Sequence, residues 1–64
     1  MKSAELIKLV EQAGWKLINT RGSHHVFRHD ILPGHISVPH PRKDLGIGLL
    51  KKLMKRAGIE EPKP

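Results

Sequence analysis

Apolar residues near the start of the chain recur at the spacing of one face of a helix. The stripe consists of Leu6, Ile7, Leu9, Val10 and Ala13. Ser3 is a residue type suited to cap the helix N-terminus, and Gly14 is suited to end the helix. The pattern therefore predicts a first helix over residues 3–13.

Three short stretches follow in which β-branched and aromatic residues are separated by turn residues. They cover residues 15–20, 24–29 and 35–38. The Arg21-Gly22-Ser23 connection is short enough for an antiparallel hairpin. The prolines after the third stretch end it, because proline cannot donate to a strand ladder. These features predict a three-stranded antiparallel sheet.

Alternation along the strands predicts which side chains face the core. In the first strand Trp15, Leu17 and Asn19 are expected to share one face. In the second, Phe27 is the largest apolar residue and is expected to point toward the helices. The same side would then carry His25 and His29, and the open face would carry His24, Val26 and Arg28. The alternative is that Val26 enters the core, which would reverse the two sets.

A second apolar stripe near the end of the chain predicts a helix over residues 47–57. Its members are Ile47, Leu50, Leu53, Met54 and Ala57. Gly58 is expected to end this helix, with Ile59 making the apolar contact of a Schellman motif. Residues 60–64 are expected to form a flexible tail. The order helix-strand-strand-strand-helix predicts a single α+β domain over residues 1–59, with both helices on one face of the sheet.

Composition narrows the possible functions. The chain has 64 residues, no cysteine, and a formal net charge of +6. A disulfide framework and a thiolate metal site are therefore excluded. No apolar run is long enough to cross a bilayer, and no signal peptide is visible, so we expect a cytoplasmic protein with no membrane partner. The excess of positive charge favours nucleic acid or an acidic protein as the partner.

The segment from Arg21 to His29 contains three of the five histidines. His24 is expected to lie at the start of a strand, directly after a turn that Gly22 makes possible. An imidazole there would be reachable and could exchange a proton near neutral pH. The simpler interpretation is a surface strand that happens to be rich in histidine.

A metal site built from these histidines is disfavoured by geometry. His24 and His25 are neighbours on a strand and point to opposite faces. His25 and His29 share a face but lie about 13 Å apart along the strand. We therefore predict no metal and no other cofactor. Cations are more abundant: Arg42 and Lys43 precede the second helix, and with the lysines of that helix they could form a phosphate-binding stripe.

A series of short motifs follows the predicted elements in order along the chain: Gly14-Trp15, Gly22-Ser23-His24, Phe27, Val38-Pro39-His40, Lys43-Asp44-Leu45, Gly48 and Ala57-Gly58-Ile59. The order of elements resembles the double-stranded RNA-binding domain. With these motifs, the chain more closely resembles the HicA toxins, mRNA interferases of type II toxin-antitoxin systems. The resemblance implies an RNase that cuts mRNA without a metal and is neutralised by a HicB antitoxin. It places the catalytic histidine on His24 and the turn glycine on Gly22. There are two departures from the family, Gly46 for a common proline and Leu49 for a common threonine. Two glycines within three residues, Gly46 and Gly48, also lower the helix propensity where the second helix is predicted to start.

The function predicted from the sequence is thus an endoribonuclease that acts on mRNA and has a HicB-like antitoxin as its protein partner. His24 is the predicted catalytic residue. The predicted RNA-binding residues are Arg21, Gly22, Ser23, Arg28, Arg42, Lys43 and Lys51. His25 or a lysine could supply a second acid-base group. The alternatives are a non-catalytic RNA-binding module and a basic scaffold for an acidic protein.

Overall fold

The computed structural model describes residues 1–59, and the expected tail at residues 60–64 lies outside them. The elements are α1 (Ser3–Gln12), β1 (Trp15–Arg21), β2 (His24–His29), β3 (His35–Pro39) and α2 (Ile47–Ala57). The predicted order and the α+β class are confirmed, and each boundary lies within one residue of its prediction. None of the helices in this part of the chain is long and apolar enough to cross a membrane.

The three strands form one antiparallel sheet in the order β1-β2-β3. Phe27 pairs with Ile36, and both side chains are fully buried under the helices. His24 and Arg28 alternate with Phe27 and are exposed on the opposite side. The predicted orientation of β2 is therefore confirmed, and the alternative with Val26 in the core is wrong.

The predicted alternation along β1 is wrong in its second half. Leu17 pairs with Phe27, but Asn19 rather than Ile18 pairs with Val26. The extra residue is a β-bulge, which moves everything after it to the other face. Asn19 thus shares the open face of Val26 instead of the face of Trp15. Because of this shift, Arg21 lies on the same side of the sheet as His24, with which it pairs.

Both helices lie on the face of the sheet that carries Phe27. The core contains Leu6, Val10, Trp15, Phe27, Ile36, Val38, Leu45, Leu53, Met54 and Ala57. Nε1 of Trp15 donates to the Ala57 carbonyl at 3.1 Å, which joins β1 to the end of α2. Burial of Leu53 and Met54 favours α2 even though its first turn contains a glycine, and α2 begins at Ile47 as predicted.

The C-terminus of α2 is the predicted Schellman motif. Gly58 has φ +74°, and its N–H donates to the Lys55 carbonyl at 3.2 Å. The Ile59 N–H donates to the Met54 carbonyl at 2.9 Å, and the Ile59 side chain packs against the core. Both hydrogen bonds satisfy carbonyls that the end of a helix would otherwise leave unpaired.

Ser3 does not cap α1, contrary to the prediction. Lys2 occupies the N-cap position and makes no side-chain cap, while Ser3 is the first helical residue and is almost completely buried. Its hydroxyl instead contacts the segment between β3 and α2, where it accepts from the Arg42 N–H at 2.8 Å. The Ser3 N–H donates to the Arg42 carbonyl at 3.0 Å, and the Leu45 N–H donates to the Met1 carbonyl at 2.9 Å. These bonds fix the connector against the start of the chain.

Candidate active site and nucleic-acid interface

The β1–β2 hairpin positions His24. Arg21 and His24 form its last cross-strand pair, and only Gly22 and Ser23 lie between them. Gly22 has φ +53°, and no residue other than glycine has positive φ in the chain as described. A glycine with positive φ at the first central position is typical of a type II′ turn, whose twist matches the flanking strands. A Cβ on Gly22 would meet no atom within 4 Å, so the turn requires glycine for its backbone angle and not for space.

His24 is exposed and belongs to the central strand, so its backbone is held from both sides. Arg21 is its partner in β1 and Pro39 its partner in β3. The Ser23 carbonyl, one residue earlier, accepts a hydrogen bond of 2.6 Å from the His40 N–H. Within residues 1–59 the His24 ring itself makes no hydrogen bond, which leaves both of its nitrogens available to a ligand.

The predicted RNA-binding residues fall in separate places. Arg21, Gly22 and Ser23 adjoin His24 in the hairpin. Arg28 is exposed on the same face as His24 but lies four residues further along β2, about 13 Å away. There it pairs with Lys16 and His35, at the opposite end of the sheet.

The other three predicted residues lie outside the sheet. Arg42 and Lys43 are exposed in the connector after β3 and line a groove together with Lys2. Lys51 is exposed on α2 in a separate groove with Lys52 and Lys55. Because α2 covers the face of the sheet opposite to His24, the structure does not bring Lys51 into the group around that residue.

Three histidines make structural contacts that the sequence did not indicate, and His29 is the first of them. Nδ1 of His29 accepts from the Ile31 and Leu32 N–H groups, both at 3.0 Å. Nδ1 therefore carries no proton, and Nε2–H donates to the Ala13 carbonyl at 2.9 Å. His29 thus ties the end of α1 to the β2–β3 loop, and its ring packs edge-on against Trp15 with the centroids 5.2 Å apart.

The contact of His29 with the end of α1 explains why residue 14 is a glycine. Gly14 has φ +101°, and a Cβ there would lie 2.8 Å from Nε2 of His29. Glycine is therefore needed both for the backbone angle and for the close approach of the imidazole. Glycine after a helix is so common as a C-terminal residue that it does not reveal the histidine on its own.

The other two histidines with structural contacts are His25 and His40, which pack against each other. Their rings meet edge to face, with centroids 4.9 Å apart and planes at 84°. Nδ1 of His40 lies 2.7 Å from the Ser3 hydroxyl. Nδ1 of His25 is buried and has no partner in the part of the chain that the structure describes. His25 thus faces the helices, away from His24, and does not adjoin it as a second acid-base group.

Carboxylates are sparse around these histidines. Asp30 pairs with Lys16 at 3.0 Å, and this hydrogen bond and charge lower the pKa of the Asp30 carboxyl below its usual value. Asp44 lies 3.4 Å from the N-terminal ammonium group. Over residues 1–59 no three side chains of the histidine, cysteine, aspartate or glutamate type come together as metal ligands.

Comparison with known proteins defines the class to which this fold and hairpin belong. The family model described as HicA toxin of bacterial toxin-antitoxin matches residues 3–59. A solved structure titled "HicA3 and HicB3 toxin-antitoxin complex" contains a chain that is 38% identical, with a TM-score of 0.88. The alignment covers 97% of this chain and 100% of that one. No match was found among curated proteins.

The chain belongs to the HicA toxin family of toxin-antitoxin systems. The family match includes the hairpin, the connector with Arg42 and Lys43, the lysines of α2 and all five histidines. At the two departures, Gly46 occupies the N-cap position of α2 and Leu49 is exposed, and the helix begins at Ile47 as predicted.

Proposed function

We propose that the chain is a metal-independent endoribonuclease that cuts mRNA, with His24 as the catalytic residue. The observation that carries this proposal is the position of His24: it is exposed at the end of a central strand, directly after a glycine turn, and opposite an arginine. The chain also belongs to the HicA toxin family, and the resemblance of its sequence to that family implies a catalytic role for His24. A cytoplasmic location follows from this proposal, because the substrate is there.

The chemistry needs few protein groups because RNA supplies its own nucleophile. The 2′-hydroxyl beside the scissile phosphate can attack it in line once its proton is removed. His24 has a suitable side chain for that step, or for protonating the leaving 5′-oxygen. Arg21, its cross-strand neighbour, can offset the negative charge that develops on the phosphorus oxygens. The expected products are a 2′,3′-cyclic phosphate and a 5′-hydroxyl, formed equally well in EDTA.

The substrate would be held mainly through its phosphates. Arg21 and the Gly22-Ser23 backbone lie beside His24, and Arg42 and Lys43 lie in a groove at the connector after β3. Arg28 and Lys51 are more distant and would contact only a longer RNA. Contacts of this kind give little base specificity, since phosphates carry no sequence information.

The proposed protein partner is a HicB-like antitoxin. The solved neighbour at 38% identity is a HicA3–HicB3 complex. A less basic protein that covers the face bearing His24 would block substrate entry and would neutralise part of the +6 charge. We therefore expect the antitoxin to occlude His24 directly.

The alternative function is a non-catalytic RNA-binding module. It is favoured by the absence, within residues 1–59, of a side chain that hydrogen-bonds to His24 and orients its ring. Catalytic imidazoles are commonly oriented by such a partner. In this alternative, His24 contacts RNA without transferring a proton.

Substitution of His24 distinguishes the two functions, and His35 provides a matched control. His35 is also exposed and pairs with Arg28 on the open face, at the far end of the sheet. We expect His24→Ala to abolish growth arrest and RNA cleavage while keeping RNA binding and the circular dichroism spectrum, and His35→Ala to retain all four. A folded His24→Ala protein that still cuts RNA would exclude the proposed mechanism. If wild-type protein binds RNA and never cuts it, the binding module is correct.

A further inference from the structure

A second site lies in the groove between the start of α1 and the connector after β3. The groove has a volume of about 350 Å³, and its walls include Lys2, Ser3, His40, Arg42 and Lys43. The three cations are exposed, and His40 is half-buried. The groove thus combines several cations with an imidazole.

His40 is oriented by a buried hydroxyl. The Ser3 oxygen lies 2.7 Å from Nδ1 of His40 and accepts from the Arg42 N–H at 2.8 Å. The Ser3 O–H has two acceptors in reach, Nδ1 of His40 at 2.7 Å and the Arg42 carbonyl at 3.2 Å. When the O–H donates over the shorter distance, to Nδ1, a neutral His40 carries its proton on Nε2. His25 supports the ring by its edge-to-face contact.

Nε2 of His40 is the polar atom that the protein leaves unused. It makes no hydrogen bond to any of residues 1–59, and it is not among their buried unpaired atoms, so solvent reaches it. With Nδ1 accepting from Ser3, the ring is held at one nitrogen and presents an N–H donor at the other. A fixed donor of this kind suits an anionic oxygen.

The charges around the groove favour an anion as well. The ion pairs found within residues 1–59 join the N-terminal ammonium to Asp44 and Lys16 to Asp30. Neither of them uses Lys2, Arg42 or Lys43. The nearest carboxylates in sequence are Asp44, whose charge the terminal ammonium offsets, and Glu5 in the first turn of α1. A single anion shared by the three cations would form charge-assisted hydrogen bonds with them, which are stronger than neutral ones.

The groove is connected to the hairpin through two backbone contacts. The His40 N–H donates to the Ser23 carbonyl at 2.6 Å, and Pro39, the residue before it, pairs with His24. His40 is therefore separated from His24 by only a few residues of backbone, at the edge of the sheet formed by β3. An anion bound at His40 lies close to that edge. An extended polyanion whose scissile linkage is at His24 can reach both places.

We propose that this groove is a phosphate subsite for the RNA, in which an internal backbone phosphate accepts from His40 Nε2–H and is held by Lys2, Arg42 and Lys43. The inference rests on the proposed ribonuclease function and adds a defined second contact to it. Its consequence is that the enzyme requires RNA extending beyond the scissile linkage on one side. Ser3 acts here as a positioning residue for His40.

The test measures binding of short RNAs to His24→Ala protein, which leaves the substrate uncut. Lys43→Met removes a groove cation, and Lys8→Met, an exposed lysine elsewhere on α1, is the control with the same charge change. We expect Lys43→Met to weaken binding roughly tenfold. It should also make the slope of log affinity against log salt shallower by about 0.7, the value for one phosphate on a single strand. Lys8→Met should change neither by a comparable amount. His40→Phe keeps a ring and removes Nε2–H, and should weaken binding in the same direction.

Methylphosphonate scanning identifies the phosphate itself. A neutral linkage is placed at each position in turn of an RNA that has a 5′-hydroxyl, and the unmodified RNA is also measured with a 5′-phosphate. One internal linkage should weaken binding to the protein with an intact groove and have little effect on the Lys43→Met protein. Two results would overturn the subsite while leaving RNA binding in place. One is an equal loss of RNA affinity in Lys43→Met and Lys8→Met. The other is a loss of affinity in Lys43→Met that appears only when the RNA has a 5′-terminal phosphate. If His24→Ala binds no RNA, the proposed function fails together with the subsite.

Discussion

Arg21 and His24 face each other across the last rung of the β1–β2 hairpin, joined by a turn of two residues. The β-bulge at Ile18 makes this pairing possible on the open face, because it shifts the residues after Leu17 by one position. A cation and an imidazole are thereby fixed side by side on the same surface. The relationship depends on backbone geometry alone, since the His24 ring has no side-chain partner within residues 1–59.

The turn geometry should therefore be essential to activity. Gly22→Ala places a side chain at φ +53°, which costs roughly 1–2 kcal/mol because the left-handed region crowds Cβ. Gly34→Ala is a matched control, since Gly34 also has positive φ (+83°) and open space around it. Both variants should lose similar stability in thermal denaturation, but only Gly22→Ala should lose cleavage at a temperature where both are folded. Equal cleavage by the two variants would show that the Arg21–His24 geometry is unimportant.

His29 should be a stability residue and not a catalytic one. His29→Ala removes three hydrogen bonds and the contact with Trp15, so we expect a loss of about 2 kcal/mol. In a domain of this size that lowers Tm by roughly 10 °C. His35→Ala, an exposed histidine in β3, should change Tm little. At a temperature where His29→Ala is folded, it should still cut RNA; complete inactivity there would contradict the structural assignment.

Antitoxin binding should protect His24 from chemical modification. We expect diethyl pyrocarbonate to label exposed His24 and His35 in the free toxin, and His24 to lose its reactivity in the antitoxin complex. Labelling of each histidine is measured by tandem mass spectrometry of the peptides. Equal labelling of His24 in the free and bound toxin would rule out direct occlusion and would point to inhibition at another surface.

The sequence was sufficient for the elements because their signals are local. Helical spacing of apolar residues defines both helices, and glycines or prolines mark most of the ends. Gly22 indicates the turn, and Phe27 indicates which face of β2 is buried. Since His24 alternates with Phe27, its exposure on the other face follows. The confirmed fold therefore rests on patterns that span a few residues each.

The errors arose where a residue's role depends on a distant part of the chain. Ser3 has the residue type of an N-cap, but its hydroxyl bonds to His40 and Arg42, which are 37 and 39 residues away. The bulge at Ile18 depends on how β1 pairs with β2, which alternation within β1 cannot reveal. His25 and His29 have the same residue type as His24, and only their three-dimensional contacts distinguish structural histidines from the candidate catalytic one.

The central claim is that His24 supplies acid-base catalysis for attack by the 2′-hydroxyl of RNA, and one measurement tests it most directly. Wild-type and His24→Ala proteins are incubated in EDTA with an RNA that is cut at one bond, and with the same RNA carrying a single 2′-deoxy nucleotide just upstream of that bond. The wild-type protein should cut the all-RNA strand to a cyclic phosphate and a 5′-hydroxyl, and should bind the deoxy strand equally well without cutting it. The His24→Ala protein should bind both strands and cut neither. Cleavage of the deoxy strand at that bond, or 5′-phosphate ends, would contradict the account.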